Sequence, residues 1–180
     1  MMKNRLLIIS DLWGNERAAW MEYYMPPLSA YFEVVFYDAC KLGEVDTSIY
    51  TEENLHSQFV KGGIEQAVNK LVELEKNPVY ILAFSIGGTI AWQFGLKGGR
   101  IEMLFCISAT RLRKEVVKPK GRISLWFGSN DTYRPSIEWQ TRMDQKCIEF
   151  SERNHDFYTD AMLANQAVKE LVNQLDESKL

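Results

Sequence analysis

The sequence predicts an α/β domain: a three-layer, doubly wound, mostly parallel six-stranded sheet with helices on both faces. Three observations point there. Short apolar runs alternate with longer segments of helical period along all 180 residues, the pattern of a parallel sheet. The central runs are dense in Val, Ile, Leu and Phe without strict alternation, as strands covered on both faces are. No repeat, low-complexity stretch or linker divides the chain, so one domain spanning 1–180 is expected.

Strands are expected at residues 5–10, 33–38, 79–84, 103–108, 122–128 and 145–150. Helical segments are expected at 18–24 and 28–32, separated by Pro26 and Pro27, which break or kink a helix. Residues 53–75 place Leu55, Phe59, Ile64, Ala67, Val68 and Leu71 at helical spacing, with Gly62 and Gly63 weakening the middle. A helix over 87–96 starts directly after the third strand and closes at Gly98 and Gly99; a last helix runs over about 160–175. Right-handed crossovers then favour double winding, with ligands beyond the carboxyl ends of the strands.

Three residues at those ends stand out. Ser85 lies in Ala83-Phe84-Ser85-Ile86-Gly87-Gly88, where an apolar strand runs straight into a helix with one hydroxyl at the corner. Small residues two before and two after it let strand and helix backbones approach; a Gly-rich helix start that binds phosphate is the other reading of these six residues. Asp131 follows the fifth strand in Gly128-Ser129-Asn130-Asp131, and His155 follows the sixth in Arg153-Asn154-His155-Asp156. The chain has only two histidines. The second, His56, sits among Glu52, Glu53 and Gln58 and is expected to be a solvated helix residue behind the sheet.

The turn at Ser85 resembles the G-x-S-x-G turn of the α/β-hydrolase family, with Ala83 in place of the first glycine. The order serine, acid, histidine, each after its own strand, is similar to that family's order too. The resemblance spans Leu6 to about Leu175 and implies a minimal, lidless α/β-hydrolase fold. It implies a serine hydrolase cleaving a carboxylic ester or thioester, with Ser85 as nucleophile, His155 as general base and Asp131 orienting the imidazole. The oxyanion donors implied are the Ile86 N–H and the Leu12 N–H. Leu12 lies in Ser10-Asp11-Leu12-Trp13-Gly14, where many relatives carry His-Gly. Asp11 admits two readings, a cap of its own turn or a carboxylate facing the oxyanion. Trp13, Phe84, Ile86, Tyr133 and Phe157 are the expected cleft walls. A non-catalytic protein that binds a small molecule or another protein on the same scaffold is the alternative.

Composition narrows the partners. A formal charge of −3 gives no bulk reason for nucleic acid or an anionic membrane. Cys40, Cys106 and Cys147 form no C-x-x-C pair and suggest a reducing compartment, with the cytoplasm as the expectation. No cofactor and no metal are expected. The expected partner is a small-molecule ester or thioester, free or carried on a protein; oligomeric state is undetermined. Arg111, Arg113, Lys114, Lys118, Lys120 and Arg122 crowd the link between the fourth and fifth strands. They are read as solvated loop, or as a docking edge for an anionic substrate or an acidic carrier, with Arg111 to Lys114 nearest the cleft.

Overall fold

In the computed structural model, residues 3–177 are described. Six strands, β1 (Asn4–Ile9), β2 (Phe32–Tyr37), β3 (Val79–Phe84), β4 (Ile101–Ile107), β5 (Arg122–Gly128) and β6 (Ile148–Phe150), form one sheet in the order β2-β1-β3-β4-β5-β6. Every pairing is parallel. The chain moves outward from β1 to β2 and then returns to the other side of β1 as β3. The carboxyl ends of β1 and β3 therefore flank the point where the winding reverses, which is where such sheets bind ligands.

Side-chain parity divides the core. Leu7, Ile9, Ile81, Ala83, Leu104, Cys106, Leu125 and Phe127 point to one face and pack against Phe59, Leu71, Ile90, Phe94 and Trp139. Leu6, Ile8, Tyr80, Leu82, Phe84, Met103, Phe105, Ile107 and Trp126 point to the other, against Trp20, Tyr24, Leu28, Leu163 and Leu171. All six residues of β3 are buried. The absence of polar and apolar alternation has this cause: both parities meet a helical layer.

The first face carries α2 (Ala39–Leu42), α3 (Glu52–Gln58), α4 (Ile64–Leu74), α5 (Ile86–Leu96) and α6 (Ile137–Arg142); the second carries α1 (Met25–Ser29) and α7 (Ala161–Glu177). Several elements depart from the sequence expectation. Residues Ala19–Tyr23 form a 3-10 turn, and Pro26 and Pro27 open α1 instead of separating two helices; proline suits a first turn because its missing N–H would be unpaired there. The 53–75 segment is two helices joined through a π turn, Phe59–Gly63, with Gly62 at φ 158°. The short helices α2 and α6 fall below the length at which periodicity is readable. Their caps carry the signal instead: Asp38 accepts from the Cys40 and Lys41 N–H groups, and Ser136 from Trp139 N–H.

β6 is half its expected length. Gln140 Oε1 accepts the Cys147 N–H at 2.8 Å and Gln145 Nε2 donates to Ile123 O at 3.2 Å, so side-chain amides take bonds that strand pairing would use. Cys147 thus precedes β6. The closing signal of α5 holds: Gly98, at φ 101°, follows the cap, and Gly99 N–H donates to Phe94 O at 2.9 Å. Among the described residues no helix is long and apolar enough to cross a membrane.

At the amino ends of the strands, away from the serine corner, Glu75 is buried. It accepts from Arg5 Nε at 2.8 Å and from Tyr37 Oη at 2.5 Å. Burial pushes its carboxyl up, but the bonds and charge of Arg5 and the Tyr37 hydroxyl outweigh this and hold it below the ordinary value. The stabilisation is present above the unfolded-state pKa and is lost as pH falls through the lower folded value. Arg5→Met should therefore destabilise the fold by roughly 2 kcal/mol at neutral pH by leaving the buried carboxylate with the Tyr37 hydroxyl but no cation. The deficit should shrink in acid, as urea unfolding at pH 3.5 and 7.5 would show. A second prediction concerns Gly128, where a Cβ would press into the Arg153 and Asn154 carbonyl oxygens. Gly128→Ala should cost about 1–3 kcal/mol by the same measurement, because it pushes apart the two loops that hold Asp131 and His155.

Candidate active site

Ser85 occupies the corner between β3 and α5 with φ 50° and ψ −118°. A positive φ is disfavoured for a residue with a Cβ and persists only where the surroundings enforce it. Here they do so through backbone packing. A Cβ on Gly87 would collide with the Ser10 and Ile9 carbonyl oxygens, and one on Gly88 with Ala109. The glycines seat the start of α5 against the turns after β1 and β4, which leaves the serine side chain projecting over the sheet edge. Ala83, the departure from the glycine pattern, pairs in register with Ile9 and Cys106 and is fully buried. Its methyl group fits within the helix-side core.

Ser85 Oγ lies 2.9 Å from His155 Nε2, and His155 Nδ1 lies 2.9 Å from Asp131 Oδ2. With the proton on Nδ1, the ring donates to the carboxylate and presents a lone pair to the serine hydroxyl. Asp131 is buried, and its other oxygen accepts the Tyr133 N–H at 2.8 Å, an Asx turn that locks the carboxylate. His155 is fixed from behind by Ser108 Oγ, which donates to its carbonyl oxygen at 2.6 Å, and from the side by the Tyr133 ring at 5.1 Å. Ser108, the residue after β4, itself has φ 56°. Its position past a strand end was the only signal in the sequence that could have singled it out.

The turn after β1 resolves the two readings of Asp11. One carboxylate oxygen accepts the Trp13 N–H at 2.9 Å and the other accepts from Tyr158 Oη at 3.0 Å. Asp11 is thus the cap of its own turn, tied across to the segment that follows His155. It is 3% exposed. Burial pushes its carboxyl up to about 6, against the pull of the Trp13 and Tyr158 bonds and of His155. Ser10 Oγ accepts the Ala39 N–H at 2.8 Å and donates to the Asp11 carbonyl at 3.1 Å, which fixes the peptide leading to Leu12. Among the described residues no backbone acceptor takes the Leu12 N–H. Ile86, as the first residue of α5, carries an N–H ahead of the helix's own hydrogen-bond ladder.

A cleft of about 280 Å³ opens over Ser85, lined by Leu12, Trp13, Glu52, His56, Ile86, Thr110, Tyr133, His155, Asp156 and Tyr158. Of the expected walls, Trp13, Ile86 and Tyr133 line it. Phe84 and Phe157 do not. Phe84 is fully buried and packs edge-on against Trp20 and Tyr24, because its parity aims it at the face carrying α7; Phe157 packs on Phe150 in the same layer. His56 is also corrected: it is exposed, but α3 brings it to the cleft rim and not behind the sheet. Tyr158 was missed by sequence reasoning, since its role depends on a contact with Asp11 across 147 residues.

No cysteine lines the cleft: Cys40 Sγ donates to the Leu12 carbonyl oxygen at 3.3 Å and Cys106 Sγ to that of Gly88 at 3.9 Å, both from within the core. Burial pushes the Cys40 and Cys147 thiols up to about 12, and Cys106, fully enclosed, is pushed up as well. All three stay protonated at neutral pH. Among the described residues no group of three or more His, Cys, Asp or Glu side chains converges to hold a metal ion.

No known family model matches the chain, and no curated protein does. Solved structures do. An alpha/beta-superfamily structure from Xanthomonas campestris pv. campestris superposes with a TM-score of 0.65 at 16% identity, over 96% of this chain and 99% of that one. A carboxylesterase structure from the thaumarchaeon Nitrososphaera gargenis gives 0.66 at 13% identity, over 97% and 92%. The monoacylglycerol lipase of Paleococcus ferrophilus gives 0.66 at 12% identity, over 97% and 96%. The parallel order β2-β1-β3-β4-β5-β6, the serine corner and these superpositions agree: the chain has the α/β-hydrolase fold.

Proposed function

We propose that this protein is a serine hydrolase that cleaves a carboxylic ester or thioester through an acyl-enzyme intermediate. The observation that carries the reading is the continuous hydrogen-bonded line from Ser85 Oγ through the His155 ring to the buried Asp131 carboxylate, both links at 2.9 Å. A serine at a strained corner, a base within reach of its proton and an acid fixing that base are the parts nucleophilic acyl transfer requires.

The chemistry follows from those positions. As Ser85 Oγ bonds to the acyl carbon, its proton passes to His155 Nε2 and the carbonyl π pair moves onto oxygen. The Leu12 and Ile86 N–H groups, one on each side of the winding reversal, are the donors for that oxyanion; such a donor is typically worth about 3 kcal/mol of barrier. Collapse of the adduct re-forms the carbonyl and breaks the bond to the alcohol or thiol, which leaves with the proton from Nε2. Water then attacks the acyl-serine, gives a proton to His155 as its oxygen bonds to carbon, and Ser85 departs with that proton. The products are a carboxylic acid and an alcohol or thiol. Asp131 keeps its bond to His155 Nδ1 and stabilises the imidazolium at each transfer.

The short link between β4 and β5 carries only a 3-10 turn, Leu112–Lys114. No helical cap covers the cleft from there, which suits small acyl groups better than long lipid chains.

The test is covalent labelling with a fluorophosphonate, read by intact mass. Wild type should label at one site, Ser85→Ala should not label, and His155→Ala should label at least about 10³-fold more slowly. Folded wild-type protein that does not label would overturn the reading. Asp131→Asn should keep the fold yet reduce labelling by a similar factor, because it strands the imidazole in the wrong tautomer. A separate expectation concerns Asp11. Its raised folded-state pKa means that a folding penalty accumulates as pH rises from about 4 through about 6. Asp11→Asn, which retains an acceptor for Trp13 N–H, should gain on the order of 2 kcal/mol relative to wild type between pH 4 and pH 7.5 in urea unfolding.

A further inference from the structure

The cleft does not end at the serine. Past Thr110 and Tyr133 it continues into a second groove of about 410 Å³, lined by Glu52, Glu53, His56, Thr110, Arg111, Arg113, Lys114 and Tyr133. Glu52, His56, Thr110 and Tyr133 belong to both hollows, so a molecule seated on Ser85 can extend directly into the groove.

Three properties of this groove point to its occupant. First, its cations lack partners: Arg111, Arg113 and Lys114 form no ion pair among the described residues. Second, Arg113 is oriented. Its guanidinium donates to the Thr110 carbonyl and lies 5.1 Å over the Tyr133 ring, which holds it at the junction of the two hollows. Third, the Thr110 hydroxyl, on a residue 9% exposed, has no hydrogen-bond partner. A buried hydroxyl without a partner costs about 1–3 kcal/mol, a cost a polar ligand can remove. The Thr110 N–H donates to Ser85 O at 3.2 Å, so the unpaired hydroxyl stands next to the proposed nucleophile.

The facing carboxylates, Glu52 and Glu53, are compensated differently. They stand in the first turn of α3, where the exposed N–H groups of the helix already favour negative charge. Arg113 and Lys114 stand in the last turn of the 3-10 helix and Arg111 just before it, and with three cations facing two carboxylates the formal charge of the groove is positive.

We propose that this groove is a subsite for an anionic group carried by the substrate, so that the preferred esters bear a carboxylate or phosphate. This rests on the hydrolase reading above and narrows it to a substrate class. Arg111 and Lys114 supply the charge, Arg113 the fixed donor and Thr110 a neutral hydroxyl at the junction.

The experiment compares hydrolysis by the intact protein of three esters matched in length: methyl butyrate, monomethyl succinate and methyl 4-aminobutyrate. The readout is the ratio of kcat/KM for the anionic to the neutral ester, which should be about ten in low salt and fall as salt rises. Arg111→Gln with Lys114→Gln should bring the ratio towards one. Thr110→Val should lower it severalfold without loss of stability, an outcome a purely structural threonine would not give. 2-Phosphoethyl butyrate, with its charge on the alcohol side, tells which side of the ester faces the groove. A wild-type ratio near one, a ratio the variants leave unchanged, or preference for the amino ester would overturn the subsite. If no ester is turned over, calorimetric binding of monomethyl succinate and methyl butyrate to Ser85→Ala still decides it. Tighter anionic binding that Arg111→Gln with Lys114→Gln weakens about tenfold supports the subsite, and equal binding overturns it. Fluorophosphonate labelling, independent of substrate charge, separates failure of this inference from failure of the hydrolase reading.

Discussion

The site depends on one backbone contact, the seating of α5 against the turn that leaves β1. Gly87 and Gly88 have no room for a Cβ against Ser10, Ile9 and Ala109. Because the helix start sits that close, Ser85 is forced into a left-handed corner, its hydroxyl stands above the sheet edge, and Ile86 and Leu12 line the same cleft. Moving the helix outward by the width of a methyl group would relax the corner and separate the two donors together. The geometry of the proposed nucleophile and that of the proposed oxyanion donors are therefore one constraint.

Around this contact the molecule fixes each remaining group twice, once locally and once across the fold. Asp131 has its own Asx turn to Tyr133 N–H and its bond to His155. His155 is held by that acid and by Ser108 from the end of β4. Asp11 caps its own turn and reaches Tyr158. Local turns set side-chain direction, and long-range bonds set separation. Groups held in both ways keep the near-contact distances of the hydrogen-bonded line from Ser85 to Asp131.

Asp11 shows how a residue that looks unfavourable becomes part of the framework. A carboxylate beside a developing oxyanion opposes it. Here both oxygens are committed to donors, and Tyr158 carries one of those bonds into the layer of α7. The turn after β1 is rigidified by an acid and a tyrosine. Burial raises the carboxyl pKa, so part of the folding stability is traded for that rigidity.

The sequence by itself determined the α/β class, the order of the strands and longer helices, the corner at Ser85 and the three residues that follow β3, β5 and β6. Those are local signals: apolar runs, small residues flanking one hydroxyl, and an acid and a histidine each following its own strand. The helices α2 and α6 were not among the expected elements, since four or six residues carry no readable period. Tertiary structure alone decided which aromatics face the cleft. Trp13 and Tyr133 line it while Phe84 and Phe157 are core, because strand parity and the side on which α7 packs, not residue type, select the face. It also moved His56 to the rim, set Thr110 beside Ser85 and brought Arg113 to the adjoining groove. These placements depend on contacts between residues far apart in the chain, whose partners are specified only once the sheet is wound and its two faces are covered.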